Sequence, residues 1–148
     1  MKLIAQILPR ANILVDVAAG SKREAFEQAG GVFEQNLQLS RAQVLESLLA
    51  REKLGSTALG HGIAIPHGRI KGLRDAVGAF LKLKTPIPFD APDGQPVGWL
   101  FILLVPAHAT DLHLQILGEL AQAFSSRRLR DELQKSGDPA RIHELLTQ

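Results

Sequence analysis

The sequence predicts a layered α/β domain, with helices covering both faces of a sheet. Two capping boxes, Ser21 to Glu24 and Ser40 to Gln43, each open an apolar stripe of helical period. Between these helices and the later ones lies Val97 to Val105, a run with no polar side that reads as a central strand buried on both faces.

Taken in order, Ile13-Leu14-Val15-Asp16-Val17 is a short β-branched run suited to a strand. The helix opened by Ser21 carries Ala25, Phe26, Ala29, Val32, Phe33 and Leu37 at three- and four-residue intervals, which places them on one core-facing stripe. The helix opened by Ser40 carries Val44, Leu45, Leu48 and Leu49, and it runs out near Arg51 and Glu52 before Gly55 stops it. From Gly55 to Gly78 glycines interrupt short β-branched pieces such as Ile63-Ala64-Ile65, so backbone geometry is tightly specified there. Ala76 to Lys84 alternates as a half-buried strand would, with Val77, Ala79, Leu81 and Leu83 inward and Lys82 and Lys84 outward. Pro86 and Pro88 limit that neighbourhood to an edge or a turn. After Pro106, Asp111 is expected to cap a helix whose inward positions are His113, Ile116, Leu117, Leu120, Ala121 and Phe124. Asp138-Pro139 opens a last helix that packs Ile142, Leu145 and Leu146.

Composition narrows the function. The 148 residues, 45% hydrophobic and 22% charged, fit one globular domain over residues 1–148 without linker or repeat. The longest apolar stretch falls well short of the ~20 residues that span a bilayer. Gln6 and Pro9 interrupt the N-terminus before a signal-peptide core forms, so a cytoplasmic location is expected. The absence of cysteine removes disulfides, thiolate catalysis and cysteine-ligated metals. A net charge of +2 with scattered basic residues argues against nucleic acid, and Arg127-Arg128-Leu129-Arg130, followed at once by Asp131 and Glu132, reads as a solvated helix face.

Two nucleotide-binding readings of the glycine-rich stretch fail. Gly55-Ser56-Thr57-Ala58-Leu59-Gly60 has phosphate-loop spacing, yet His61-Gly62 stands where Lys and Ser or Thr are required. Gly60-His61-Gly62 opens like a dinucleotide fingerprint, but Ile65 replaces its third glycine. Pro66-His67-Gly68 is the sharper signal. Proline pushes Ile65 into an extended conformation and Gly68 is free to take a positive φ, so the chain is expected to turn sharply at His67 and lift its imidazole off a strand end. Spacing alone leaves an inert loop histidine open. His113, on the inward stripe of its helix, points toward the crevice where the central strand ends; a core histidine satisfied by a carbonyl is the alternative. Arg51 ends a helix and serves either as an ordinary C-terminal cap or as a bidentate phosphate ligand. Ser56 and Thr57 offer hydroxyls to the same site or act as turn residues.

Arg51-Glu52-Lys53-Leu54-Gly55-Ser56-Thr57-Ala58-Leu59-Gly60-His61-Gly62-Ile63-Ala64-Ile65-Pro66-His67-Gly68-Arg69 resembles the active-site region of the enzyme IIA proteins of the bacterial phosphoenolpyruvate-dependent phosphotransferase system, mannitol/fructose class. It is most similar to the nitrogen-type regulatory branch. Phe89 to Val97, Leu103-Leu104-Val105-Pro106 and Leu112 to Leu117 extend the resemblance over essentially the whole chain. It implies a small mixed sheet of about five strands sandwiched between helices. It also implies that His67 is the phosphoryl acceptor through Nε2, with His113 and Arg51 as the active-site histidine and arginine beside it; the chemistry of the residues themselves then suggests His113 as hydrogen-bond support, Arg51 as charge stabilisation, and Ser56, Thr57 and the backbone around Gly68 as phosphate-binding support. His61 departs from the family, where many relatives have Asn, and is read as a solvent-facing loop residue that leaves open some tuning of the acceptor.

The chemistry suits these residues. A neutral imidazole, with an ordinary pKa of about 6.5, is a good nucleophile at neutral pH. Transfer between histidines needs in-line geometry and charge neutralisation, so no metal, nucleotide or other cofactor is expected. The resemblance implies a phosphotransferase component that receives its phosphoryl group from a nitrogen-type histidine phosphocarrier protein (NPr- or HPr-like). It further implies output to regulators of potassium or nitrogen homeostasis rather than sugar transport. A sugar-specific IIA serving a IIB domain is the rival with the same chemistry. A metallohydrolase using His61, His67 and His113 is the rival of a different class.

Overall fold

The computed structural model describes residues 2–109 and 111–148. Among the described residues, six α-helices and six strands follow one another as α1 (Lys2–Ile7), β1 (Ile13–Val17), α2 (Lys22–Leu37), α3 (Arg41–Glu52), β2 (Ala58–Gly60), β3 (Ile63–Ala64), β4 (His67–Ile70), β5 (Val77–Ile87), β6 (Val97–Pro106), α4 (Asp111–Phe124), α5 (Arg127–Lys135) and α6 (Pro139–Thr147), with one 3-10 turn at Arg10–Asn12 before β1. One mixed sheet runs in the order β1-β5-β6-β3-β2, with β4 also paired to β6. β1 is parallel to β5, β5 antiparallel to β6, and β3 and β4 both parallel to β6. No helix among the described residues is long and apolar enough to cross a membrane.

The expected layering holds. One face of the sheet packs Leu81, Leu100, Ile102 and Leu104 against Phe26, Phe33, Val44 and Leu48 of α2 and α3. The other packs Phe80, Phe101 and Leu103 against Ile4, Ile116, Leu120, Phe124 and Ile142. Burying each such side chain is worth about 1.5–3 kcal/mol. The capping boxes form on their serine side, since Ser21 accepts from the Glu24 amide and Ser40 from the Gln43 amide. Asp138 caps α6 with Pro139 in the first turn.

Several expectations change. β5 runs from Val77 to Ile87 and is buried continuously from Val77 to Leu81, because β1 and β6 flank it and helices cover both its faces. Alternation begins only at Lys82. Pro86 sits inside this internal strand, in the stretch where the pairing register slips between Lys82 and Ile87, so a ladder irregularity rather than an edge accommodates it. Asp111 is the first residue of α4 rather than its cap, and Ala121 is exposed while Ala123 is half-buried. Leu37, in the last turn of α2, is also exposed.

α1 carried no clear sequence signal. The amides of Leu3 and Ile4 at the start of α1 donate to the Glu119 carboxylate, and His143 Nε2 donates to the Leu8 carbonyl just beyond its end. α5 places Arg127 and Arg128 in solvent, as the charge run implied, and buries Leu133.

Candidate functional site

β3 and β4 run end to end along one side of β6, β3 covered by β2 and β4 left at the edge. Both pair with β6 in a single register that passes unbroken through Ile65-Pro66, and the Pro66 carbonyl accepts from the Leu103 amide at 2.9 Å. His67 therefore opens a strand rather than a sharp turn, and Gly68 has no positive φ. The glycine is needed for another reason. A Cβ there would overlap the Ser47 hydroxyl of α3, so its absence lets α3 lie close against β4. Ser47 completes the contact by donating to the Arg69 carbonyl at 2.9 Å.

That packing puts the C-terminal turn of α3 beside His67, while α4 approaches from the other side. A cavity of about 410 Å³ results, lined by Ser47, Arg51, His67, Gly68, Arg69 and His113 among others. His67 Nδ1 lies 3.0 Å from the Ile65 carbonyl oxygen. A carbonyl only accepts, so the proton sits on Nδ1 and the lone pair on Nε2. Burial lowers the pKa of His67 below the ordinary histidine value; the Ile65 hydrogen bond opposes this, nearby Arg51 and His113 add to it, and Glu52 opposes it. The neutral ring with a nucleophilic Nε2 is thus the favoured form at neutral pH.

Arg51 Nη1 donates to the Gly55 carbonyl at 2.9 Å, which folds the guanidinium back across the end of its own helix while it lines the cavity. The ring of His113 is half-buried, and its Nδ1 is buried without a hydrogen-bond partner among the described residues. An unpartnered acceptor is tolerated better than an orphaned N–H, which favours the tautomer carrying its proton on Nε2. A cationic guanidinium, a donor imidazole and an acceptor imidazole thus share one cavity, a set able to neutralise a phosphoryl group beside a nitrogen nucleophile.

Ser56 and Thr57 are drawn elsewhere. Ser56 Oγ donates to the Phe89 carbonyl at 2.7 Å and accepts from the Ala58 amide; Thr57 Oγ1 donates to Glu52 at 2.7 Å and is buried. Neither lines the His67 cavity. His61 holds a left-handed φ of 57° with its amide bonded to Asp93, and it borders a different cavity beside Lys82 and Trp99. The structure therefore does not bring His61 to His67 and His113, and among the described residues no three His, Cys, Asp or Glu side chains converge as a metal site would need.

Arg69 joins the site without having been singled out. It follows His67 by two positions on β4, lines the same cavity and donates through Nη1 to the carbonyls of Ala107 and Ala109 ahead of α4. The period of a strand is the signal that points to it.

Residues 6–148 match the family model of the phosphoenolpyruvate-dependent sugar phosphotransferase system, EIIA 2. The nitrogen regulatory protein of Pseudomonas aeruginosa is 41% identical over 144 residues, covering 97% of this chain and 94% of that protein. The crystal structure of nitrogen regulatory protein IIA-Ntr from Neisseria meningitidis superposes with a TM-score of 0.92 at 49% identity, over 99% of this chain and 100% of that one. IIA mannitol from Escherichia coli, at 23% identity and a TM-score of 0.78 over 93% and 97% of the two chains, shares the fold. With the family match spanning nearly the whole sequence, the chain belongs to the EIIA 2 family of the phosphotransferase system, on the side of the nitrogen regulatory proteins.

Proposed function

We propose that this chain is a phosphocarrier of the nitrogen-type phosphotransferase system that accepts a phosphoryl group on His67 from an NPr- or HPr-like phosphohistidine protein. One observation carries the reading. The Ile65 carbonyl fixes the Nδ1–H tautomer of a neutral His67, leaving Nε2 as the nucleophile in a cavity shared with Arg51 and His113. In the transfer, the Nε2 lone pair forms the new P–N bond as the donor's P–N bond breaks, and the electron pair of that bond returns to the donor imidazole. The proton stays on Nδ1, where the Ile65 carbonyl stabilises the positive charge that develops on the ring. Arg51, His113 Nε2–H and the backbone near Gly68 neutralise the phosphoryl oxygens.

Phosphorylation adds about −2 charge at His67, enough to bring a chain of net charge +2 near neutrality and to change the local field strongly. The proposed output is the binding of regulatory partners, of the kind that control nitrogen or potassium, according to that state. The test is to mix the protein with phosphoenolpyruvate, enzyme I and each candidate carrier, and to follow an acid-labile adduct by intact mass. The nitrogen-type carrier is expected to phosphorylate it faster than the sugar-type carrier. A preference for the sugar-type carrier, with onward transfer to a sugar IIB domain, would move the chain to the transport branch.

A further inference from the structure

Glu52 follows Arg51 directly but turns the other way, into the protein. Its side chain is only 5% exposed, and both oxygens are engaged. Oε1 accepts from the Thr57 hydroxyl at 2.7 Å, and Oε2 accepts from the Thr57 amide at 3.1 Å and from Lys22 Nζ at 3.0 Å. Lys22 in turn lies 4.6 Å from the centre of the buried Phe89 ring, and Phe89 returns its carbonyl to Ser56. A buried ion pair is weak evidence for stability, because desolvation offsets most of its attraction. What this one does is close residues 53–56 into a fixed loop between the last turn of α3 and Thr57.

That loop touches both ends of the phosphoryl site. Gly55, at a φ of 152° that disfavours a side chain, directs its carbonyl to Arg51 Nη1. The Thr57 carbonyl accepts from the Ile65 amide at 3.0 Å, and the Ile65 carbonyl is the one that holds His67 Nδ1. We propose that Glu52 and Thr57 form a buried clamp that sets the pose of Arg51 in the phosphoryl cavity. Glu52 is thus a positioning residue. It does not line the cavity; it fixes the loop whose Gly55 carbonyl holds the guanidinium in place. The inference rests on His67 being the acceptor.

A double-mutant cycle in single-turnover phosphorylation tests it. Thr57→Val, which keeps the volume and removes the hydroxyl, is expected to lower the maximal transfer rate on the order of tenfold with the half-saturating carrier concentration within about twofold, and Thr57→Ser to regain most of the rate. In an Arg51→Ala background the same Thr57→Val change is expected to cost less than about twofold, because the clamp acts through the missing guanidinium. Glu52→Gln goes through the same cycle and carries the test where Thr57→Val does not fold, as judged by its thermal melt. Full additivity with Arg51→Ala, or a loss confined to half-saturation, overturns the clamp. No transfer to His67 in the wild-type protein overturns instead the reading of the site on which the clamp rests.

Discussion

His67 is defined by two features of its own environment, a carbonyl that fixes its tautomer and burial that holds its pKa below the ordinary value of 6.5. Two pH effects follow from the second. The unfolded chain binds a proton at His67 that the folded chain resists, so stability rises with pH through the window just below 6.5 and is flat above it. His67→Gln is expected to flatten that slope, which urea denaturation at pH 5 and pH 7.5 measures; an unchanged slope would show that other groups set it. The phosphorylation rate is likewise expected to reach its plateau with a midpoint below 6.5, since only the neutral ring attacks. His113→Ala removes the proposed donor to the phosphoryl oxygens and should slow transfer about 10- to 100-fold while the melting temperature holds, the half-buried ring contributing little to the core. A loss of stability matching the loss of rate would instead make His113 a packing residue.

At the scale of elements, local signals were legible and distant ones were not. α2, α3 and α6 announce themselves because their caps lie within three residues of the groups they satisfy. α1 does not, because its N-terminal amides are capped by Glu119, more than a hundred residues away, and six residues make too short a period to read. Glu119→Ala is therefore expected to cost about 0.5–2 kcal/mol in chemical denaturation through loss of that cap. β5 reads as half-buried because its neighbours β1 and β6 are invisible in its own alternation. The Pro-His-Gly motif points to the proposed acceptor, but the role of its glycine cannot be read from it, since Ser47 lies on another element. Gly68→Ala should destabilise the fold by about 1–3 kcal/mol through overpacking against α3. Adding Ser47→Gly should recover part of that loss in the same denaturation assay; no recovery would place the clash elsewhere.

For the molecule as a whole, the fold gathers residues from an edge strand and two helices that lie on opposite faces of one sheet. Arg51 comes from the α2–α3 layer, His113 from the layer of α1 and α4 to α6, and His67 from the edge between them. This explains why the histidines and the arginine were visible as residues while the Glu52–Thr57 contact was not: the motif names the groups, and only packing decides which hydroxyl faces a cavity and which faces a buried carboxylate. The proposed phosphocarrier role requires the phosphoryl group to reside on Nε2 of His67. Phosphorus and nitrogen NMR of the protein after incubation with phosphoenolpyruvate, enzyme I and the nitrogen-type carrier tests it most directly. A single phosphohistidine at Nε2 that disappears in His67→Ala is the expected result; a phosphoryl group on Nδ1, or a signal that survives the substitution, would rule out Nε2 of His67 as the acceptor.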